Sequence, residues 1–338
     1  MSREANEHGS GNMGEANGGS RAPDARKYKK LRRRLPRWLL RLSLRVEVLV
    51  ARGILALAWV LPVRGIQALG RALGLLVYWL VPRQRGMIDV NLKMAMPHLD
   101  AAARRAIARD VLRHQGMTLA ETLKLPAIRA DGARWVRGEG GDVLARLHAR
   151  GKGVMMVTAH FGNWEMIPIL LQRLDIRATA LVRTMNNPRL NEIFGGLRRY
   201  EFLDVAERGT PAAARQMLAC LKNGNVLIMA TDVDMDAQGD FINFFGVPAF
   251  TPTAPASLAL RQGVPLVTCL DYRQPDGTHL LRIQEVEVTA ATAGRADPQL
   301  ALTQELARLT EEAIRARPEL WAWNHARWKK RPPGEGGN

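Results

Sequence analysis

The 338 residues carry 49 Lys and Arg against 32 Asp and Glu, a formal charge of +17, and 47% are hydrophobic. That length fits one large domain, or one domain with an appended anchor, and the apolar share is too low for a multi-span membrane protein. The positive excess favours an anionic partner without choosing between nucleic acid, an anionic membrane surface and an acidic protein.

In chain order, residues 1–25 are rich in Gly, Asn, Glu and Ser and read as a disordered tail, because they hold too little apolar surface to fold. A basic block runs from Arg26 to Arg34, and residues 1–45 hold 12 Lys and Arg against 4 Asp and Glu. Residues 46–63 contain only Glu47 and Arg52 as charges, and a second apolar run covers 72–81. Neither reaches the ~18–20 apolar residues of a confident spanning helix. They read as two buried helices or as a membrane anchor, inserted fully or by half, and the basic block before them favours the membrane. Residues 26–90 are therefore expected to be a basic, helical, membrane-associated segment, with Trp38, Trp59, Tyr78 and Trp79 at headgroup level.

Residues 91–149 show a helical pattern, and the texture changes at Gly151. The apolar run 153–159 reads as a buried strand, 164–174 as a helix, 178–182 as a strand and 188–200 as a helix. Then come a helix at 211–221, a strand at 226–230, a helix at 252–261, strands at 264–270 and 280–288, and a last helix at 298–315. This alternation predicts an α/β fold with a mostly parallel central sheet flanked by helices and some antiparallel edge pairing. The domain is assigned to 91–333, leaving 334–338 as a tail. Cys220 and Cys269 form no C-x-x-C pair and no zinc spacing, and they read as buried, reduced thiols.

Five places carry candidate chemistry. The segment His160-Phe161-Gly162-Asn163-Trp164-Glu165 begins where a buried strand ends, which is where ligands gather in α/β sheets. With His160 in the turn and Glu165 in the first helical turn, the carboxylate is expected to fold back on the imidazole, fix its tautomer and make it a general base. Asp232-Val233-Asp234 follows the strand at 226–230 and reads as a metal site, a set of supporting carboxylates or a polar loop. EF-hand calcium binding is rejected, since the Gly and Glu of that loop are missing. Arg183 ends the strand at 178–182, where a cation can bind phosphate or polarise an oxyanion. Residues 244–252 form an aromatic, Pro-bounded loop that reads as an acyl-chain groove or as core. Residues 318–331 hold three Trp among basic residues and suit a membrane interface or base stacking; His325 there reads as structural or binding.

Together these motifs resemble the bacterial lipid A biosynthesis acyltransferases, the late lauroyl/myristoyl-type family. The resemblance rests on the His-x4-Glu of His160 and Glu165, Arg183 after the next strand, Asp232-Val233-Asp234, Phe-Phe-Gly-Val-Pro-Ala at 244–249 and Trp-x-Trp-x-His-x-Arg-Trp-Lys at 321–329. It covers roughly residues 45–333, including Asn91 and Glu121 in the helical lead-in. It implies a glycerolipid-acyltransferase-like fold on the cytoplasmic face of the inner (plasma) membrane. It also implies an acyl carrier protein as donor, a glycolipid hydroxyl as acceptor, and no cofactor or metal. Such carriers are acidic, which suits the basic chain. In this reading His160 and Glu165 are catalytic, while Arg183, Asp232, Asp234 and Asn163 bind substrate. Val233 stands where Gln is usual and Thr184 where Pro is common, so acceptors such as lysophosphatidate or mannosylated phosphoinositides stay open. No nucleic-acid motif is present, and nucleic acid is not an expected partner.

Overall fold

The computed structural model describes residues 49, 53, 55, 56, 58–183, 188–198, 201–235 and 237–334. The tail at 1–25, the basic block and Trp38 lie outside the described residues, as do the acidic residue at 236 and the final residues 335–338.

Helix α1 (Val63–Leu80) is followed by α2 (Pro82–Ala95) and α3 (Ala101–Leu123). The 91–149 stretch is not one helical run. It continues as α4 (Leu125–Ala130), α5 (Gly132–Trp135), strand β1 (Val136–Glu139) and α6 (Gly141–His148). Then come β2 (Val154–Thr158), α7 (Ile167–Arg173), β3 (Ala178–Val182), α8 (Pro188–Leu197), β4 (Leu203–Glu207), α9 (Pro211–Lys222) and β5 (Val226–Ala230). The chain finishes with β6 (Gly239–Phe244), β7 (Val247–Pro252), α10 (Ala254–Gln262), β8 (Leu266–Arg273), β9 (His279–Val286), α11 (Val288–Thr292) and α12 (Pro298–Ala316). Helix starts carry side-chain caps: Asp100 accepts from the Ala103 N–H at 2.7 Å, Thr210 from Ala213 at 3.1 Å and Asp297 from Leu300 at 2.9 Å.

Seven strands form one sheet in the order β1-β9-β8-β2-β5-β3-β4, parallel at every pair except β8–β9. The expected mostly parallel α/β architecture is what the chain adopts. β2 is buried along its whole length, which is why it reads as an unbroken apolar run. Its side chains alternate between two cores. Val154 and Met156 join the helices α4, α6 and α7 on one face, and Met155 and Val157 join α9, α10 and α12 on the other. A third core gathers α2, α3, the β6–β7 hairpin and the Trp-rich C-terminal segment.

The aromatic stretch at 244–252 is a hairpin rather than a loop. Phe245 and Gly246 both take positive φ (57° and 79°) at its two-residue turn, the geometry that matches strand twist. Helices α1 and α3 touch backbone to backbone, because a Cβ on Gly74 would stand 2.1 Å from the Leu112 carbonyl oxygen and one on Gly70 2.5 Å from that of Gly116. No single described helix is long and apolar enough to cross a membrane. The pair α1 and α2, bent by 87°, passes that test together by length and composition.

Candidate active site

β2 and β5 lie side by side in parallel, with Thr158 opposite Ala230. His160 and Asp232 each follow two residues later, so strand register alone carries them to neighbouring positions at the carboxyl end of the sheet. The His160 Nδ1 lies 2.9 Å from Asp232 Oδ1. The other carboxylate oxygen, Oδ2, accepts the His160 backbone N–H and the Trp321 indole N–H, both at 2.8 Å. The Asp232 side chain is 2% exposed and the His160 ring 25%.

Burial opposes the charge on Asp232, but the imidazole, the indole and the amide outweigh it and hold the carboxyl down at about 2. Burial likewise opposes imidazolium, and the facing Asp232 carboxylate more than compensates, raising the His160 pKa above its ordinary value. An ionised Asp232 can only accept, so Nδ1 carries the proton and Nε2 presents its lone pair. Trp164 packs edge-on against the ring at 4.7 Å between centroids, and His325 stands 5.4 Å away. Burial and the nearby His160 lower the His325 pKa.

The carboxylate on the imidazole is therefore Asp232, and Glu165 does not occupy the place expected for it. Glu165 lies on a short 3₁₀ turn (Trp164–Met166), and its two oxygens are taken by the Arg198 guanidinium, with Nε to Oε2 at 3.0 Å. A five-residue spacing cannot compete with a register-matched strand partner. Asn163 is also differently placed. It is fully buried, its Nδ2 donates to Glu121 at 2.8 Å, its backbone N–H to Asp271 at 2.6 Å, and its Oδ1 accepts the Glu165 N–H at 3.1 Å. With these groups committed it braces the loop.

Asp232, expected among the substrate-binding residues, has both carboxylate oxygens engaged by His160 and Trp321. Asp234 faces Lys330, 3.3 Å from its Nζ. Arg183 is exposed at the carboxyl end of β3. β5 separates it from β2, which puts it roughly 10 Å across the sheet edge from His160 by strand spacing. The three Trp of the C-terminal segment are 1%, 0% and 4% exposed, so Trp321, Trp323 and Trp328 are core residues and not interface anchors. Tyr78 is buried too, while Trp59 and Trp79 are exposed.

Behind the loop lies a second polar cluster. Glu121 is sealed and accepts from Arg273, from Gln67 at 2.8 Å and from Asn163. His279 Nδ1 meets Asp271 Oδ2 at 2.8 Å, and its Nε2 lies 3.4 Å from Glu121. Burial works against the imidazolium, but the two carboxylates push His279 up to about 9. Gly162 (φ +61°) presses on this cluster, because a Cβ there would lie 2.1 Å from the Asp271 carbonyl oxygen. The His160 loop thus rests on a rigid ionic floor. Arg198, Asp271, Arg273 and His279 were not singled out from the sequence, and Trp321 and Glu121 were named there without these partners. The signal available for the floor was Asp271 and Arg273 inside an otherwise apolar strand.

The geometry describes a histidine held by a carboxylate at the mouth of an α/β sheet, and residues 37–330 match the family of bacterial lipid A biosynthesis acyltransferases. The chain belongs to that family. It is 27% identical over 292 residues to the lipid A biosynthesis lauroyltransferase of Escherichia coli K12, covering 83% of this chain and 91% of that protein. It is 27% identical over 293 residues to the palmitoleoyltransferase of the same organism, covering 84% and 91%. It is 25% identical over 223 residues to a phosphatidylinositol mannoside acyltransferase of Mycobacterium tuberculosis, covering 64% and 68%.

Proposed function

We propose that this chain transfers a fatty acyl group from an acyl carrier protein thioester to a hydroxyl of a lipid A precursor or related glycolipid, at the cytoplasmic face of the inner membrane. The observation that carries the reading is the imidazole of His160, held through Nδ1 by Asp232 and leaving Nε2 towards solvent. Nε2 takes the proton of the acceptor hydroxyl as its oxygen attacks the thioester carbonyl carbon. The C–S bond then breaks, and the leaving sulfur takes the proton back from the imidazolium. Asp232 stabilises that imidazolium and fixes the ring, a division of labour that needs no covalent enzyme intermediate. Arg183 and the Glu165-bound Arg198 are cations suited to phosphate or carboxylate groups of the substrates.

Two features support the membrane setting. Leu73, Leu76, Leu80 and Trp79 of α1 are 51%, 49%, 69% and 62% exposed, an apolar face of the kind that beds into a bilayer surface. The net charge of +17 favours both anionic lipid and an acidic carrier. The test is transfer from acyl carrier protein to a lipid A precursor by purified protein. His160→Ala is expected to lower kcat by about 10²–10⁴-fold, and near-normal transfer by a folded variant would refute the base assignment. A mannoside hydroxyl is the second reading, favoured by the mycobacterial relative. Mass spectrometry of products from the two acceptors separates them.

A further inference from the structure

A cavity of about 410 Å³ opens between α1, α3 and the turn joining β8 to β9, and none of the residues lining it belongs to the His160–Asp232 site. Arg64 and Arg71 of α1, seven residues apart and so on one face of the helix, line it together with Arg113 of α3. Arg113 is partly engaged, with Nη1 on Asp110 at 2.8 Å. Arg64 and Arg71 make no hydrogen bond or ion pair among the described residues, and both are exposed. Against these three guanidinium groups the cavity lining offers one acid, Asp276. Its Oδ1 is already occupied by the Thr278 amide and hydroxyl at 3.0 and 2.7 Å.

Three guanidinium groups against two acids, Asp276 and the Asp110 paired with Arg113, leave a net positive charge that matches the oxygens of a tetrahedral oxyanion, which Arg grips bidentately. The remaining wall includes Leu75 and Met117, so the space suits an anion attached to an apolar body. The exposed Leu73, Leu76 and Leu80 lie roughly 100–160° further round the same helix from this face. Gln67 forms the buried back wall and donates to both Glu121 and the Gly277 carbonyl at 2.8 Å. The cavity therefore abuts the floor beneath the His160 loop while staying apart from the reacting atoms.

We infer that the cavity formed by Arg64, Arg71 and Arg113 binds a phosphate group, carried by an anionic lipid headgroup or free in solution. The lipid source rests on the membrane setting proposed above; the phosphate chemistry does not. Three forms of the full chain decide it: wild type, Arg64→Gln/Arg71→Gln, and Arg215→Gln/Lys222→Gln, which removes the same two charges from α9. Binding is measured to phosphatidylcholine vesicles with and without phosphatidylglycerol, and thermal midpoints are measured with added inorganic phosphate.

For a headgroup site, the α1 variant loses at least about tenfold more affinity for the phosphatidylglycerol vesicles than the α9 variant. For a free-phosphate site, phosphate raises the wild-type midpoint and not that of the α1 variant, while both variants bind vesicles alike. Equal losses in the two variants with no phosphate effect overturn the inference, because diffuse surface charge then accounts for all binding. Wild-type acyl transfer in detergent micelles reads the catalytic proposal separately, so failure of one is distinguishable from failure of the other.

Discussion

His160 meets Asp232 at 2.9 Å and His279 meets Asp271 at 2.8 Å, each through Nδ1. The local chemistry is nearly the same, and the surroundings are not. The His160 ring is 25% exposed with its Nε2 open, whereas His279 is 1% exposed with its Nε2 turned to Glu121. The open pair has a place for a third molecule to exchange a proton. The sealed pair is balanced by Glu121 and Arg273 and serves as a footing for the loop that carries His160. Under the mechanism proposed above, reactivity follows from access and from which nitrogen is left free, not from the pair itself.

Sharpening that contrast starts with the open pair. Asp232→Asn is expected to lower kcat by about 10²–10⁴-fold, because the amide no longer stabilises imidazolium or secures the tautomer. Asp232 raises the His160 pKa, so the wild-type rate should rise with pH through a value above the usual 6.5, as the ring loses its proton and becomes a base. In Asp232→Asn the limb should move to lower pH, and steady-state profiles read both effects. The sealed cluster should respond in stability instead. Glu121→Ala leaves Arg273 without its carboxylate partner and His279 with Asp271 alone, and should cost about 3–5 kcal/mol in urea unfolding.

The pH dependence of folding separates the pairs as well. His279 has a folded pKa of about 9 against an ordinary 6.5, so its contribution to stability is fully present below 6.5 and is lost as pH rises through 9. His279→Gln should flatten the fall in Tm across that interval, measured by calorimetry in a pH series. The smallest effect concerns Glu165 and Arg198. If each acts through the other, a double-mutant cycle of Glu165→Gln and Arg198→Gln should show a coupling of about 0.5–3 kcal/mol in kcat/KM; additive losses would show that the ion pair has no catalytic consequence.

Sequence reasoning found the elements whose pattern is set by full burial. Residues 178–182 and 226–230 are strands with the bounds expected of them, since apolar runs between turn residues leave little else to form. It missed β1, whose four residues hold one buried position. It missed β4, which alternates weakly at the sheet edge. It missed the β6–β7 hairpin, where Pro248 and the aromatic residues disguise the pairing. Within the site, the placement of His160, Arg183 and Asp232 after strands was legible. The partnership was not, because His160 and Asp232 are 72 residues apart and only the alignment of β2 with β5 brings them together. Glu165 was the nearer carboxylate in the chain and the wrong one in space.

The segment after α12 has a consequence for the moment at which catalysis begins. Leu320 accepts the Gly162 N–H at 2.8 Å, Ala322 donates to the His160 carbonyl at 3.1 Å, and the Trp321 indole secures Asp232. Every strand of the sheet is synthesised before these residues are. On the mechanism proposed above, a chain with its strands complete still lacks a secured His160–Asp232 pair until Trp321 docks.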